Sequence, residues 1–168
     1  MGRFSLPEQA PQGLASPAAA RAIKVMSRAQ VRVFKLTGGR VGGKWRVGAG
    51  FREPVPTLLL EHRGRKTGRL FTTPLLYLED GDDLVVVASQ GGLPDNPQWY
   101  RNLLAAPDTR VHLPRRRDVP VRAREATGAE RDALWPRLVA LYADFAKYAA
   151  WTDREIPVVV LASRPPAS

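Results

Sequence analysis

Five consecutive residues, Gly64-Arg65-Lys66-Thr67-Gly68, combine two glycines, two cations and a hydroxyl, a set suited to gripping a phosphate. Glycines let the backbone take positive φ and approach an anion closely. The plainer alternative is an exposed basic hairpin, because residues 57–62 and 71–78 on either side read as strands. A second phosphate-loop spacing, Gly38 followed after four residues by Gly43-Lys44, fails on chemistry. Trp45 stands where such a loop needs a Ser or Thr for magnesium, and a helix precedes it instead of a strand. Metal chemistry has few candidates. The chain has no cysteine, and its two imidazoles, His62 and His112, have no carboxylate at a ligand spacing, so no protein-built metal site is expected. The carboxylates at Glu79-Asp80-Gly81-Asp82-Asp83 match no calcium loop and read as a solvated hairpin turn.

The elements that must position these residues follow from turn and cap signals. Residues 1–16, rich in Pro, Gly, Ala and Ser, read as a disordered arm. Ser16-Pro17 opens a helix that runs to about Leu36 and stops at Thr37-Gly38-Gly39, and residues 17–50 comprise this helix and a glycine-rich connection. Residues 51–165 are rich in strands, expected near 57–63, 69–78, 83–89, 109–114, 118–126 and 157–163. Asn96-Pro97 starts a helix ending at Ala106-Pro107. Thr127 and Glu130 have the spacing of a capping box and start another, running to about Tyr148 with a bend at Pro136. The expected fold is α+β and mainly β: a small barrel of about six antiparallel strands with an N-terminal helix and two more. No Gly-x-Gly-x-x-Gly follows a strand, so a Rossmann nicotinamide site is not supported.

The net charge of +10 calls for an anionic partner, but it is unevenly placed. Residues 1–50 carry +8 and the remaining 118 only +2. Arg21, Lys24, Arg28, Arg32 and Lys35 recur every three or four residues as one stripe on the first helix, with Ile23, Met26, Ala29, Val33 and Leu36 expected on the opposing face. The stripe suits either plain solvation or docking on anionic lipid headgroups. Nucleic acid is not expected, since the basic residues lack interleaved aromatics and no nucleic-acid motif occurs. No apolar run is long enough to span a bilayer and no signal peptide is visible, which points to a cytoplasmic protein, with attachment to the inner membrane face as the sharper reading of the stripe.

Taken in order, five segments resemble the deazaflavin-dependent nitroreductase family of actinobacteria, of the quinone and nitro reductase type. They are Gly64-Arg65-Lys66-Thr67-Gly68, Thr73-Pro74-Leu75, Ala88-Ser89-Gln90-Gly91-Gly92, Asn96-Pro97-Gln98-Trp99-Tyr100-Arg101-Asn102-Leu103 and Trp151-Thr152-Asp153-Arg154-Glu155-Ile156-Pro157. The resemblance implies a split β-barrel, binding of coenzyme F420 (an 8-hydroxy-5-deazaflavin) and hydride transfer to a quinone, nitroaromatic or enone. It also implies coenzyme contacts at Arg65, Lys66, Thr67, Pro74, Ser89, Gln90, Gly91, Asn96 and Trp99, and a substrate wall from Leu76, Tyr142, Phe145 and Tyr148.

The residues suit that chemistry. The coenzyme's phosphodiester and oligoglutamate tail are anionic, and Arg63, Arg65, Lys66 and Arg69 give them a local positive field. Ser89 to Gly92, following the apolar strand Leu84–Ala88, offers a hydroxyl and close-approach glycines to a flat ring. For Trp99, a core role packing helix on barrel is equally open. The aromatics Tyr142, Phe145 and Tyr148 fit a core stripe as well as a substrate wall. Tyr148, protonated at neutral pH, is the preferred proton donor, with Ser89 the second catalytic candidate. Two departures stand out. The best-known members have a lysine at the position of Gln90, so a looser grip on the coenzyme is expected, and tyrosines at those of Leu76 and Phe145, so the substrate pocket is expected to be greasier. The rival readings are a deazaflavin carrier without turnover and a flavin mononucleotide enzyme on the same barrel.

Overall fold

The computed structural model describes residue 13, residues 15–45 and residues 53–165. The arm expected at 1–16 lies almost wholly outside the described residues, as do residues 46–50 of the glycine-rich connection. Helix α1 (Pro17–Thr37) starts as its cap signal predicts: Ser16 Oγ accepts the Ala19 N–H at 3.2 Å. It ends on Gly38, whose left-handed φ of 60° returns its N–H to the Phe34 carbonyl.

The strands are β1 (Lys44–Trp45), β2 (Val55–Arg63), β3 (Leu70–Leu76), β4 (Leu78–Asp80), β5 (Asp83–Val87), β6 (Asp108–Leu113), β7 (Arg116–Ala126) and β8 (Val158–Ser163). They pair antiparallel in the order β1-β2-β6-β7-β8-β5-β4, with β3 also on β2. The strand expected over 69–78 is thus two strands, broken at the buried Tyr77, whose N–H bonds the Pro56 carbonyl. Its first half follows β2 from Thr57↔Leu76 to Arg63↔Leu70, and its continuation follows β5. One short segment therefore joins β2, next to one end of the strand order, to β5 near the other, and the sheet of eight strands, against about six expected, curls into a split barrel.

Alternation along the strands makes two cores. Leu58, Leu60, Leu84, Val86, Val111, Val121, Val159 and Leu161 fill the barrel, together with Trp99 and Leu103 from α2 (Gln98–Ala105). Val85, Val87, Val158 and Val160 point the other way, under Leu134, Leu138, Tyr142 and Phe145 of the capping segment. Strands β5 and β8 are covered on both faces, which is why they read as uninterrupted apolar runs.

That capping segment departs from expectation. It is two helices, α3 (Gly128–Leu141) and α4 (Asp144–Ala150), and Pro136 stays inside α3. The chain leaves the helix at Tyr142 (φ −144°, ψ 96°), a conformation that accompanies burial of its ring to 3% exposure. The capping box does not form either. Thr127 makes no side-chain cap, Gly128 has a positive φ of 54°, and Glu130 instead forms a two-pronged pair with Arg124 at 2.6 and 2.7 Å.

Helix α1 lies against β3 and has one buried residue, Phe34, beneath Gly39 and Pro114. Its inward line is Ala20, Ile23, Ser27, Gln30 and Phe34. Of the residues expected to cover the face opposite the basic stripe, Met26 and Leu36 are 68% and 85% exposed and Val33 and Ile23 are partly so. The helix therefore carries three faces: basic, apolar and exposed, and inward.

Helix α4 packs against the left-handed turn Gln90–Gly92, and Gly92 permits that approach. At φ 79°, a Cβ there would stand 2.9 Å from the Tyr148 carbonyl and 3.2 Å from the Trp151 ring. Gly92→Ala should therefore cost about 3 kcal/mol, combining left-handed strain with a backbone clash. Gly81→Ala, whose Cβ meets nothing within 4 Å, should lose only ~1 kcal/mol. Denaturant titration of both variants measures the difference; equal losses would mean that α4 is not seated on the turn.

Candidate functional site

Between α1, the β3 side of the barrel and the α3–α4 junction lies a cleft of about 730 Å³, within the range of ligand pockets (~300–1,000 Å³). From β3 it receives Thr73, Pro74, Leu75 and Leu76. The turn after β5 supplies Ser89, Gln90 and Gly91, α2 supplies Trp99, and the junction supplies Tyr142, Phe145 and Tyr148. Ile23, Ser27 and Gln30 of α1 close one side. Most residues singled out in the sequence for ring and substrate contacts thus meet in one place. Arg65, Lys66, Thr67 and Asn96 do not line it.

The Ser89–Gly92 turn is strained and held by one side chain. Gln90, Gly91 and Gly92 have successive φ values of 46°, 62° and 79°, so Gln90 is a non-glycine residue in a left-handed conformation. Arg154 satisfies the carbonyls exposed by this course. Its Nη2 donates to Ser89 O at 2.9 Å and Ala88 O at 3.2 Å, its Nε to Leu93 O at 3.0 Å, and its Nη1 to Asn96 Oδ1 at 2.7 Å. Asn96 therefore serves the turn through Arg154 and not the cleft directly. The role of Arg154 was not legible in its motif; a cation carried four residues ahead of the apolar run of β8 looks like any surface residue.

In the phosphate-type turn most backbone N–H groups already have partners within the protein. Gly64 N–H bonds Arg69 O at 2.8 Å, Gly68 N–H bonds Gly64 O at 2.7 Å, and Thr67 N–H also points to Gly64 O. Arg65 N–H bonds Asn102 Oδ1 at 3.2 Å. The backbone is that of a hairpin closing on itself. What it offers an anion is the exposed Lys66, the Thr67 hydroxyl and the cations Arg63 and Arg69. Arg65 folds back onto α2, where Nη1 donates to Gln98 Oε1 at 2.7 Å and to Asn102 Oδ1 at 3.2 Å. Two amides four residues apart, Gln98 and Asn102, face one side of a helix; that spacing is the signal by which this contact could be found.

Behind the turn, His62 links it to the cleft. Its Nδ1 meets Asn102 Nδ2 at 2.9 Å, its Nε2 meets Thr73 Oγ1 at 2.9 Å, and its ring stacks on Phe71. At the other end of the cleft the Tyr142 and Tyr148 hydroxyls lie 3.4 Å apart, and the Phe145 ring packs edge-on to both. Burial raises both phenols above their ordinary pKa, Tyr142 the more strongly because it also bonds Tyr148, so both carry their protons at neutral pH. Two polar atoms of cleft-lining residues, Thr57 Oγ1 and Trp45 Nε1, are buried without a hydrogen-bond partner. The Trp45 N–H is nevertheless near enough to the Tyr142 phenol to oppose its rise slightly.

This donor set fits a flat, mostly apolar coenzyme with an anionic arm. The cleft supplies apolar walls and glycines, the turn beyond it supplies cations, and the orphaned Thr57 hydroxyl marks an unfilled polar position. Among the described residues no group of His and carboxylate side chains could hold a metal.

Burial holds the His62 imidazole down to about 4, against an ordinary 6.5. The unfolded chain therefore binds the extra proton between these values. Stability is full above about pH 6.5, falls as pH drops, and the loss is complete near pH 4, a total on the order of 3 kcal/mol. His62→Gln should flatten that part of the stability–pH curve, measured by denaturant titration across the window. Curves of equal slope for both proteins would mean His62 is not held neutral.

A profile of the F420H(2)-dependent quinone reductase family matches residues 26–163. A Mycobacterium tuberculosis (H37Rv) protein named for F420H(2)-dependent quinone reduction is 56% identical over 119 residues, covering 71% of this chain and 99% of its own. Another protein of that strain, named F420H(2)-dependent quinone reductase, is 36% identical over 134 residues, covering 79% of this chain and 86% of its own. A solved structure described as an F420-H2 dependent reductase superimposes with a TM-score of 0.58 at 36% identity, covering 63% of this chain and 93% of its own. The chain belongs to the F420H(2)-dependent quinone reductase family, and as an F420H2-dependent reductase it has coenzyme F420 as its cofactor.

Proposed function

We propose that the protein reduces a lipophilic quinone with a hydride from reduced F420, both molecules lying in the cleft. The observation that carries this reading is the pairing, in one cleft, of apolar walls with two phenols kept protonated by burial. Lys66 and Thr67, with Arg63 and Arg69 beside them, bind the phosphodiester, and Arg65 braces their turn. Pro74, Ser89, Gln90, Gly91 and Trp99 orient the ring, and Asn96 acts through Arg154. Leu76 and Phe145 seat the acceptor and exclude water. When bound, reduced F420 supplies the hydride. Tyr148 holds the proton at its hydroxyl and gives it to the acceptor oxygen; hydride and proton together convert the quinone to a hydroquinone, and solvent restores the phenol. A nitroaromatic or enone would meet the same phenol, but the apolar Leu76 and Phe145 favour a quinone.

Titrating the protein with F420 and with flavin mononucleotide, then measuring quinone turnover, tests this. F420 alone should bind. Lys66→Ala should weaken F420 about ten- to a hundred-fold, and Tyr148→Phe should lower kcat about a hundred-fold with little change in coenzyme affinity. Tight F420 binding without turnover would make the protein a carrier. Preference for flavin mononucleotide would place it with the flavin enzymes of this barrel.

The exposed apolar face of α1, beside its basic stripe, favours a second reading: attachment to an anionic membrane surface on the cytoplasmic side. No helix among the described residues is long and apolar enough to cross a membrane. Val25, Met26 and Leu36 are 64%, 68% and 85% exposed, and each basic residue near such a surface is worth about 1 kcal/mol. We also treat the arm at 1–16, the helix and connection at 17–50 and the barrel at 51–165 as the organising units, with α1 acting as a wall of the barrel's cleft. Because Phe34 is buried, charge reversal is a cleaner test than truncation. Arg21→Glu, Lys24→Glu and Arg28→Glu combined should abolish salt-sensitive co-sedimentation with phosphatidylserine vesicles and leave F420 binding intact. Equal sedimentation of both proteins would overturn the membrane reading.

A further inference from the structure

We propose that His62 and Asn102 are positioning residues for the coenzyme, and that their hydrogen bonds run in one direction so as to leave the Thr73 hydroxyl hydrogen free for a ligand in the cleft. The proposal rests on the reading of the Lys66 turn as the coenzyme's phosphate site.

The direction follows from valence. Arg65 offers only donors to Asn102, its backbone N–H and its Nη1, both at 3.2 Å from Oδ1. The Asn102 carbonyl oxygen must therefore face Arg65, and its NH₂ group must face His62 Nδ1 at 2.9 Å. Nδ1 can only accept, so the imidazole carries its hydrogen on Nε2 and donates it to Thr73 Oγ1 at 2.9 Å. With that oxygen accepting from His62, the Thr73 hydroxyl hydrogen is left to point elsewhere. Thr73 is one of the residues lining the cleft.

Burial fixes this arrangement. Asn102 is 4% and His62 5% exposed, and Phe71 stacks on the imidazole, so neither side chain turns over without leaving a buried polar atom unpaired. The network thus does two jobs with one polarity. It ties Arg65 and the turn behind Lys66 to α2, and it makes a cleft threonine a hydrogen-bond donor to an acceptor atom of the coenzyme. His62 lies immediately before Arg63 in β2, so the same strand ends in the turn and carries the imidazole that orients Thr73 in its neighbour.

The tautomer is measurable in the free protein. Nitrogen-15 NMR should show His62 with hydrogen on Nε2 and a non-protonated Nδ1. The opposite tautomer would reverse the chain of donors and overturn the proposal. F420 titration supplies the second readout. Thr73→Val should weaken binding about two- to ten-fold, the range for one neutral hydrogen bond, and Thr73→Ser should restore it. Wild-type affinity in Thr73→Val would show that the hydroxyl gives the coenzyme nothing. Lys66→Ala, measured alongside, separates the two ideas. If it leaves affinity unchanged while Thr73→Val weakens it, the phosphate reading of the turn has failed and the donor role of Thr73 has not.

Discussion

One segment, residues 70–80, has to pair with strands at both ends of the sheet, and the barrel exists because it can. Its first half follows β2 and its second half follows β5, with Tyr77 at the change of partner. A sheet curled this way has an inside and an outside, both of which need apolar cover. Hence the two-sided burial of β5 and β8, and the need for α2 to plug one core while α3 and α4 cover the other. The cleft forms where this segment, the turn after β5 and the α3–α4 junction meet. Its walls are therefore consequences of closure.

Within that frame the chemistry is positioned by buried polar groups whose hydrogen bonds are nearly all spoken for. Arg154 gathers two carbonyls of the Ala88–Ser89 stretch, the Leu93 carbonyl and the Asn96 side chain. His62 and Asn102 join the basic turn to β3 and α2. Such networks are costly if left half made, so they hold one geometry when complete. The left-handed course through Gln90 is kept in the same way: a conformation that a non-glycine residue resists persists because its carbonyl neighbours are satisfied and α4 presses on Gly92.

Much of this was legible in the sequence. Strand positions followed from apolar runs and turn residues, the start of α1 from Ser16-Pro17, the cleft's Pro74, Ser89 and Trp99 from ordered motifs, and Tyr148 from a regular spacing of aromatics. What failed shared a cause: tertiary contacts overrode local signals. Tyr77 broke a continuous strand pattern to change partners. Tyr142 broke a continuous helical pattern to bury its ring. Glu130 had the spacing of a cap but found Arg124 instead. His62 was weighed only as a metal ligand, because the residue that explains it, Asn102, is forty positions away and meets it only after α2 docks. The basic turn was found by composition, but composition cannot tell that the N–H groups of Gly64, Arg65, Thr67 and Gly68 are already paired.

The anchoring of α1 has a bearing on which acceptors the cleft admits. The buried side chain of α1, Phe34, sits three residues from the helix end, and Gln30 is tied to the Gly42 carbonyl, whereas Ala20, Ile23 and Ser27, which also wall the cleft, lie toward the start of the helix. A helix buried so unevenly is least stable in its exposed turns, since opening them costs far less than melting the barrel. The cleft is thus bounded on one side by this thinly buried helix and on the other by the barrel and the Arg154-braced turn. Under the proposed placement of the quinone, a long hydrocarbon tail extending past α1 would meet the less stable of the two walls.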